Sequence, residues 1–320
     1  MTEELLSQLR IITPEEERIL SGEDEIEREL YMSSEEDTID SKMLLESGKL
    51  IQVRTHTRFV HFPVHKHNYV EVIYMCSGST HHVINGEDVH LHQGELLFLN
   101  QTVTQEIFPA EETDIAVNFI ILPGFFDLVL KMMGEEQNLL RDFIVDCLRG
   151  ENSSSGYLYF KVADILPVQN LVENLIWTIV NKQTNKRSIN QTTMGLLILQ
   201  LMNHMDKLET GESSGEQKLI IRVLSYIEEH YRDGELGELA NHLHYDLYWL
   251  SKEIKKRTGR TYTELVQTKR LNQAAYLLNT TSIPIADVAI AIGYNNFAYF
   301  HRIFRKRFGV TPRTYRMNGK

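Results

Sequence analysis

Between Leu50 and Leu122 the chain alternates apolar and polar positions in short runs that are separated by turn residues. Alternation with a period of two is typical of strands with one buried face. The NGED stretch at 85–88 has the chemistry of a tight hairpin turn between two of these runs. Because no helical stretch interrupts the runs, they predict an antiparallel barrel or a double-sheet roll. The predicted strands are LIQVRTH, YVEVIYMC, THHVING, EDVHLH, ELLFLN and IAVNFIIL.

After Pro123 the apolar residues recur every three or four positions, which predicts helices. One apolar stripe runs from Leu171 to Val180, and a second runs from Met194 to Met205. The second helix has two placements that the sequence leaves open, against its own domain or against a second copy of the chain. Residues 207–217, KLETGESSGEQ, are polar and contain two glycines, so they predict a flexible linker between two domains.

The first 47 residues are rich in glutamate and predict short amphipathic helices. Thr13 and Pro14 form a helix-start signal, and the glutamates that follow are expected to lie on a solvated face. The predicted organisation is therefore an acidic helical segment at 1–47, a sheet domain at 48–206, a linker at 207–217 and a second domain at 218–320.

Charge is distributed unevenly along the 320 residues, whose formal net charge is −11. Residues 216–320 contain 17 Lys and Arg against 10 Asp and Glu, so the acidic total conceals a basic C-terminal third. The two cysteines, Cys76 and Cys147, exclude a disulfide framework and favour a reducing compartment. Because the N-terminus has no signal-peptide layout and no apolar run could span a bilayer, we expect a cytoplasmic protein without a membrane partner.

Two stretches of the basic third align at a constant offset of 50 residues, LSKEIKKRTG from Leu250 and FHRIFRKRFG from Phe300. Each follows a shorter helical run that contains a small residue, Ala240 in one and Ala289 in the other. Four positions later come His244 and Gly293, where a turn requires a left-handed backbone. Helix, tight turn and helix with an outward polar face is the layout of a helix-turn-helix, whose second helix enters a major groove.

Each copy ends in a basic trio, Lys255-Lys256-Arg257 in the first and Arg305-Lys306-Arg307 in the second. Cations at these matched positions are suited to DNA phosphates, which they bind without reading sequence. Between the copies, residues 263–281 predict one helix, of which about sixteen residues at a rise of ~1.5 Å span about 24 Å. Such a helix would place the two recognition helices ~34 Å apart, which is one turn of B-DNA.

The stretch IADVAIAIGYNNFAYFHRIFRKRFGVTPRTYR, residues 285–316, closely resembles the C-terminal signature of the AraC/XylS family of transcription regulators. VLSYIEEHY at 223–231 and RLNQAAYLL at 270–278 resemble the first helix and the linker helix of that family. The resemblance implies two DNA-reading helix-turn-helix units, of which Lys252 and Arg302 are the best candidates for specific base contacts. The base contacts that it implies are Tyr248, Ser251 and Lys252 in the first unit and Asn296, Phe297, Ala298, His301 and Arg302 in the second.

HKHNYVEVIYMCSG, residues 65–78, resembles the first motif of the cupin-type sensor domains that many of these regulators carry. Strand alternation puts His65 and His67 on one face, and cupin enzymes use the positions of His65, His67 and Glu71 as metal ligands. Gln105 stands where the resemblance expects a fourth ligand, a histidine, and two histidines with one carboxylate could still hold iron or manganese. Because sensor cupins of this family usually carry a similar histidine pair without metal, we expect no metal and no other cofactor. The candidate effector-binding residues are His65, His67, Glu71, Tyr74 and Gln105.

These patterns and the resemblance predict a sequence-specific transcription regulator, not an enzyme, that is controlled by a small polar metabolite such as a carbohydrate. The predicted fold class is α+β, with a cupin-like barrel that carries helices and an all-α domain with two helix-turn-helix units. The expected partners are double-stranded DNA, a second copy of the chain, a small-molecule effector and RNA polymerase. Two alternatives remain open, an effector-independent regulator whose barrel only dimerises and a metal-binding cupin enzyme fused to a DNA-binding domain.

Overall fold

The alternating stretch forms most of the strands of the N-terminal part of the chain. The computed structural model describes residues 1–22, 25–32, 37–133, 139–150, 156–183, 186–210 and 215–318. Contacts divide the chain into two units, Met1–Ser213 and Ser214–Lys320. All six strands predicted from the alternation are present. In chain order the strands are β1 (Thr38–Ile39), β2 (Ile51–Thr55), β3 (Phe62–His67), β4 (Val70–Ser77), β5 (Ser79–Ile84), β6 (Glu87–His92), β7 (Leu96–Leu99), β8 (Gln105–Ile107), β9 (Ile115–Ile121), β10 (Tyr157–Phe160) and β11 (Leu208–Thr210).

The strands form two sheets with a shared core, which confirms the double-sheet prediction. One sheet has the order β1-β3-β8-β5-β6, and the other has the order β11-β10-β7-β4-β9-β2. Leu91 of the first sheet and Leu97 of the second are completely buried in the core between them. Strand β4 is buried along seven consecutive residues. Burial on both faces explains why its sequence is almost continuously apolar and hides the alternation.

Helices follow the sheets and pack on them. Helix α6 begins at Leu166 beside Pro167, whose fixed φ suits the first turn, and α6 packs against α7. The apolar stripe of α7, which includes Leu197 and Leu201, is buried within this unit. None of the described helices is both long and apolar enough to cross a membrane. The helices of this unit are α1 (Glu3–Leu9), α2 (Pro14–Leu20), α3 (Ser41–Leu44), α4 (Asp127–Met133), α5 (Leu139–Arg149), α6 (Leu166–Val180) and α7 (Lys186–Met202), with 3₁₀ turns at Arg28–Leu30, Pro123–Phe126 and Met205–Lys207.

The N-terminal helix α2 has the predicted cap but not the predicted solvated face. Thr13 and Glu16 form a reciprocal capping box at its start. Glu16 is completely buried, and its carboxylate accepts from Arg58 Nε at 2.7 Å and from Arg58 Nη2 at 3.0 Å. Glu15 is also buried and pairs with Arg54 at 2.8 Å. The prediction of an exposed charge run is therefore wrong for these two glutamates, because their arginine partners come from the loop and strand about 40 positions later.

The residues predicted as a flexible linker begin with a strand. Leu208 is buried, and β11 pairs antiparallel with β10, so that Glu209 lies opposite Tyr159. An edge strand buries few of its side chains, which is why a polar sequence concealed it. Residues 211–214 of the predicted linker lie outside the described residues, and the next helix already begins at Gly215.

The second unit is helical and contains two small cores joined by one long helix. Its helices are α8 (Gly215–His230), α9 (Leu236–His242), α10 (Leu247–Thr258), α11 (Tyr262–Thr280), α12 (Ile285–Ala291), α13 (Phe297–Phe308) and α14 (Pro312–Asn318). One core gathers α8, α9, α10 and the start of α11, and the other gathers the rest of α11 with α12 and α13. Tyr231 packs against both cores. The prediction of an all-α domain with two helix-turn-helix units is confirmed.

Local geometry follows the repeat closely. The turn positions His244 and Gly293 have φ values of 58° and 88°, the left-handed conformation that the alignment predicted. Both recognition helices, α10 and α13, end at a left-handed glycine, Gly259 in one and Gly309 in the other. Ala240 and Ala289 are buried where the first helix of each unit meets its neighbours.

Candidate nucleic-acid interface and ligand cavity

The recognition helices α10 and α13 each have a buried face and an exposed face. Leu250 and Ile254 on α10, and Phe300 and Phe304 on α13, are completely buried. The two positions after Leu250 and the two after Phe300 are not in the cores, whereas Glu253 and Ile303 are buried. Tyr248, in the first turn of α10, reaches 79% exposure. All the predicted base-contacting positions lie outside the cores. Tyr248, Lys252, Asn296, Phe297, Ala298, His301 and Arg302 are exposed, and Ser251 is half-buried.

Two of these positions also have structural contacts. Asn296 is the N-cap of α13, and its side-chain oxygen accepts from the Tyr299 N–H at 3.0 Å. The side-chain NH₂ of Asn296 therefore remains to donate to a base. The guanidinium of Arg302 lies 5.3 Å from the centre of the Tyr299 ring. This packing restrains a long side chain without using its hydrogen-bond donors.

The basic trios are not uniform. Lys255, Lys256, Arg305 and Lys306 are exposed at the ends of their helices. The third member of each trio instead contacts its own unit. Arg257 Nε donates to Glu253 at 2.5 Å, and Arg307 Nη2 donates to Asn272 at 2.9 Å. The first two members of each trio are therefore the better candidates for phosphate contacts.

The end of α13 forms an open concave surface. His301, Arg302, Arg305 and Lys306 line it together with Gly309 and Thr311, which follow the helix. Three permanent cations in one concavity attract a polyanion by charge, and the effect falls as salt screens it.

A cavity in the sheet unit holds most of the predicted ligand-binding residues. His65, His67 and Glu71 line it, each at most 3% exposed. His65 and His67 share one face of β3, with perpendicular rings 4.9 Å apart. The free volume is about 40 Å³, which holds a few water molecules. A larger effector must therefore displace part of the wall.

Two predicted residues lie off the wall of this cavity. Tyr74 is three positions from Glu71 on β4 and so faces the opposite side, where its hydroxyl donates to Gln169 of α6 at 2.6 Å. The structure does not bring Tyr74 to the cavity. Gln105 is completely buried behind it, opposite His65 in the β3–β8 register, with Nε2 3.1 Å from His82 Nδ1.

Sequence reasoning missed several polar groups that line the cavity, among them Arg54, His56, Asn118 and Tyr31. His56 follows the end of β2, Asn118 lies in β9, and Tyr31 comes from the N-terminal segment. Asn118 had a signal, because it is the one polar residue inside the apolar run IAVNFIIL. His56 and Tyr31 had none, since their place depends on contacts far along the chain.

The hydrogen bonds around Asn118 decide which cavity atoms remain free. Asn118 Nδ2 donates to Glu71 Oε1 at 3.0 Å, so its oxygen is the acceptor that lies 3.2 Å from His56 Nδ1. His56 Nδ1 must then carry the proton, which leaves His56 Nε2 as a bare acceptor. His56 Nε2, Glu71 Oε2 and both nitrogens of His67 are buried without a hydrogen-bond partner.

Burial controls the charge of these groups. Desolvation lowers the pKa of His56 to about 4 and that of His65 to about 4, and it lowers the pKa of His67 well below its usual value. Desolvation raises the pKa of Glu71 to about 7, against a hydrogen bond from Asn118 that lowers it. The cavity at neutral pH is therefore lined by neutral imidazoles and one carboxyl group that is easily protonated.

The side chains at the three cupin ligand positions lie together in this cavity. His67 Nε2 lies 3.5 Å from Glu71 Oε2, and His65 Nδ1 donates to the carbonyl of Pro63 at 2.7 Å. Within the described residues, no group of three or more His, Cys, Asp or Glu is arranged to hold a metal ion.

Comparison with known proteins matches each unit to a known type of domain. Residues 51–135 match the family described as AraC-like ligand binding domain, and residues 239–318 match the family described as helix-turn-helix domain. The HTH-type transcriptional activator RhaR of Mannheimia succiniciproducens is 24% identical over 256 residues, which are 80% of this chain and 87% of that protein. The activator RhaS of the same organism is 25% identical over 257 residues, which are 80% of this chain and 90% of that protein.

Among solved structures, the C-terminal domain of AraT, a response regulator from Geobacillus stearothermophilus, is 33% identical over 33% of this chain and 88% of that chain. The TM-score of this match is 0.31. The two domain matches follow the order of the two structural units, a ligand-binding sheet domain and then a double helix-turn-helix domain. The chain belongs to the AraC family of transcription regulators.

Proposed function

We propose that one subunit of this regulator reads DNA with both helix-turn-helix units. The observation that supports this most directly is the matched exposure of α10 and α13, whose outer faces carry polar and basic side chains at equivalent positions. Lys252 and Arg302 would contact base edges, since lysine and arginine are the commonest readers of guanine. The exposed first two members of each trio would bind phosphates on either side.

Selection of bound fragments from genomic DNA by the full-length protein tests this proposal. We expect enrichment of one sequence with two conserved blocks about one helical turn apart. Affinity for that sequence should fall steeply with salt, while random duplex of the same length should bind more weakly at every salt concentration. Enrichment of a single conserved block, or of no shared sequence, would contradict reading by both units.

The sheet domain would bind a small polar effector that donates hydrogen bonds. The support is the set of buried acceptors around one cavity, Glu71 Oε2 and His56 Nε2 above all. Unpaired buried polar atoms are costly, so a ligand that pairs them gains free energy. Hydroxyl and amino groups fit these acceptors, whereas an anion would be repelled by Glu71 whenever that carboxyl group is ionised.

Thermal denaturation of the full chain with a panel of monosaccharides, polyols and small amines tests the effector proposal. A ligand that binds the native state raises the midpoint in a concentration-dependent way. Glu71→Gln should abolish the shift, because it replaces an acceptor oxygen with a donor. Tyr74→Phe is the matched control, since its hydroxyl lies on the other face of β4, and it should leave the shift in place. Equal loss in both variants would argue against this cavity.

We further propose that the protein acts in the cytoplasm as a dimeric activator that contacts RNA polymerase. Two relatives are named as transcriptional activators, which supports the direction of control. Trp177 of α6 and Leu196 of α7 are 42% and 45% exposed and offer apolar surface to a second copy. Sedimentation of the full chain should give a dimer that Trp177→Glu weakens, and a monomeric wild type would refute this point.

A further inference from the structure

An arginine of the linker helix α11 contacts backbone on both sides of the junction between the two helix-turn-helix units. Arg270 lies in α11, and its Nε donates to the carbonyl of Tyr231 at 2.5 Å. Its Nη2 donates to the carbonyl of Arg232 at 2.8 Å. Its Nη1 donates to the carbonyl of Gly293, in the turn of the second helix-turn-helix, at 3.3 Å. One guanidinium thus joins the segment after α8 to the turn before α13.

The chemistry of these contacts explains why an arginine is suited to the position. Carbonyls at and beyond the end of a helix lack intrahelical partners, and the negative end of the helix dipole favours a cation there. A guanidinium has five donors spread over three nitrogens in a rigid fork and can reach several separate carbonyls, whereas the three donors of a lysine diverge from one atom. The guanidinium of Arg270 also lies 5.2 Å from the centre of the Tyr294 ring.

Gly293 shows how closely the second turn approaches the first unit. A Cβ atom at Gly293 would lie 2.4 Å from the carbonyl oxygen of Arg232, which is far inside contact distance. The equivalent turn residue of the first unit, His244, is exposed. The second turn is therefore seated against the segment that carries Arg232, whereas the first turn faces solvent.

The linker helix also touches the recognition helix of the second unit. Gln267, one turn before Arg270 on α11, donates to the hydroxyl of Tyr299 on α13 at 3.0 Å. A rotation of the second unit about the linker helix would break this bond together with the contact to Gly293.

We propose that Arg270 is a positioning residue that fixes the second recognition helix relative to the first and so sets the spacing of the two DNA blocks that one subunit accepts. This inference rests on the proposed reading of DNA by both units. Arg270 itself need not touch DNA, because three of its five donors bond to the three carbonyls and hold the guanidinium in the junction.

The experiment compares three duplexes that carry the selected sequence: the native spacing, a one-base-pair insertion between the blocks, and the first block alone. Each is measured with wild type, Arg270→Met and the control Lys269→Met. Lys269 is the neighbouring cation on α11 and pairs with Glu228 of α8, so its loss removes the same charge without touching the second turn. An inserted base pair rotates one block by roughly 35° and should cost the wild type at least ~10-fold in affinity.

For Arg270→Met we expect an affinity about 10-fold lower for the duplex with the native spacing and an unchanged affinity for the first block alone. The inserted base pair should lower the affinity of this variant by less than about threefold. Lys269→Met should keep the wild-type penalty. If Arg270→Met keeps the full penalty, or if it loses the same factor on all three duplexes, the positioning role is refuted. A wild type that is indifferent to the insertion would refute the two-unit reading itself, and the positioning role with it.

Should Arg270→Met fail to fold by circular dichroism, Arg270→Lys provides the same comparison. Lysine keeps the charge and can satisfy one carbonyl, so the insertion penalty should lie between those of wild type and the methionine variant. A lysine variant with the full wild-type penalty would overturn the proposal, because the fork geometry would then have no role.

Discussion

The two helix-turn-helix units share a skeleton but maintain it differently. At the position where the first unit has Glu253, the second has Ile303, and both side chains are largely buried. In the first unit the carboxylate of Glu253 pairs with Arg257, whereas in the second unit Ile303 packs in an apolar core and Arg307 bonds to Asn272 of the linker helix. The recognition helix of the first unit is stabilised by an ion pair within the helix itself, whereas that of the second unit bonds to the linker helix.

The turns show the same contrast. His244 accepts a left-handed backbone in an exposed turn, where its side chain meets no obstacle, while Gly293 leaves no room for any side chain. The difference teaches that a repeat can keep the same backbone conformation at a position while the packing around that position allows a side chain in one copy and excludes it in the other. Four sets of substitutions test this contrast.

The largest effect is expected for valine at the second turn. Gly293→Val combines an unfavourable left-handed backbone with overpacking against Arg232, and it should lower the free energy of unfolding by roughly 2–5 kcal/mol. His244→Val is the matched control, because it has the backbone cost of roughly 1–2 kcal/mol without the overpacking. Urea denaturation measures both. Equal losses would mean that the second turn is not packed as described.

The next effect concerns base reading. Lys252→Ala and Arg302→Ala should each cost about 1–3 kcal/mol of binding free energy, confined to one base position in each block. Arg302→Ala should lose more binding free energy than Lys252→Ala, because the planar fork of a guanidinium matches guanine with two parallel hydrogen bonds, whereas an ammonium acts as a point charge. Affinities for singly substituted operator duplexes provide the measurement, and a uniform loss on operator and random DNA would contradict the assignment.

Members of the basic trio of the first unit should differ in whether their loss weakens DNA binding or destabilises the fold. Lys255→Ala and Lys256→Ala should each reduce the slope of log affinity against log salt by about 1, because each removes one phosphate contact. Arg257→Ala should leave that slope nearly unchanged and instead lower the unfolding midpoint, since it removes the closer of the two cations that pair with Glu253. A full unit of slope lost in Arg257→Ala would show that this arginine also reaches DNA.

The smallest effect lies at the starts of the recognition helices. Asp246 caps α10 and Asn296 caps α13, each accepting a bond from the backbone three residues on. Aspartate and asparagine cap equally well, but only aspartate brings a negative charge toward a polyanion. Asp246→Asn should raise affinity about twofold at low salt, Asn296→Asp should lower it by a similar factor, and both changes should shrink as salt rises. Unaltered affinity at low salt would place these caps away from the phosphates.

The sequence predicted those features that depend on neighbouring residues. Strand alternation located six strands, and the internal repeat identified the paired turns at His244 and Gly293, whose spacing is one residue shorter than the offset of 50. Turn chemistry and helix periodicity are local, so a single sequence carries them.

Features that depend on distant partners were missed or wrong. Glu16 looked solvated because nothing near it in sequence indicates Arg58. Tyr74 was assigned to the cavity because the apolar run of β4 hides which of its residues face inward, and alternation from Glu71 would have excluded it. The sequence likewise could not place His56, whose position follows from the pairing of β2 with β9.

The ion pair between Glu16 and Arg58 determines where the protein can be shortened. Removal of the first thirty or so residues would leave a guanidinium in the protein interior without its counter-charge, at a cost of about 3–5 kcal/mol. It would also remove Tyr31 from the edge of the cavity. A protease that cuts after α2 should therefore leave fragments that stay associated, and a gene that starts beyond it should yield aggregated protein. The acidic helical segment is thus a structural part of the domain behind it.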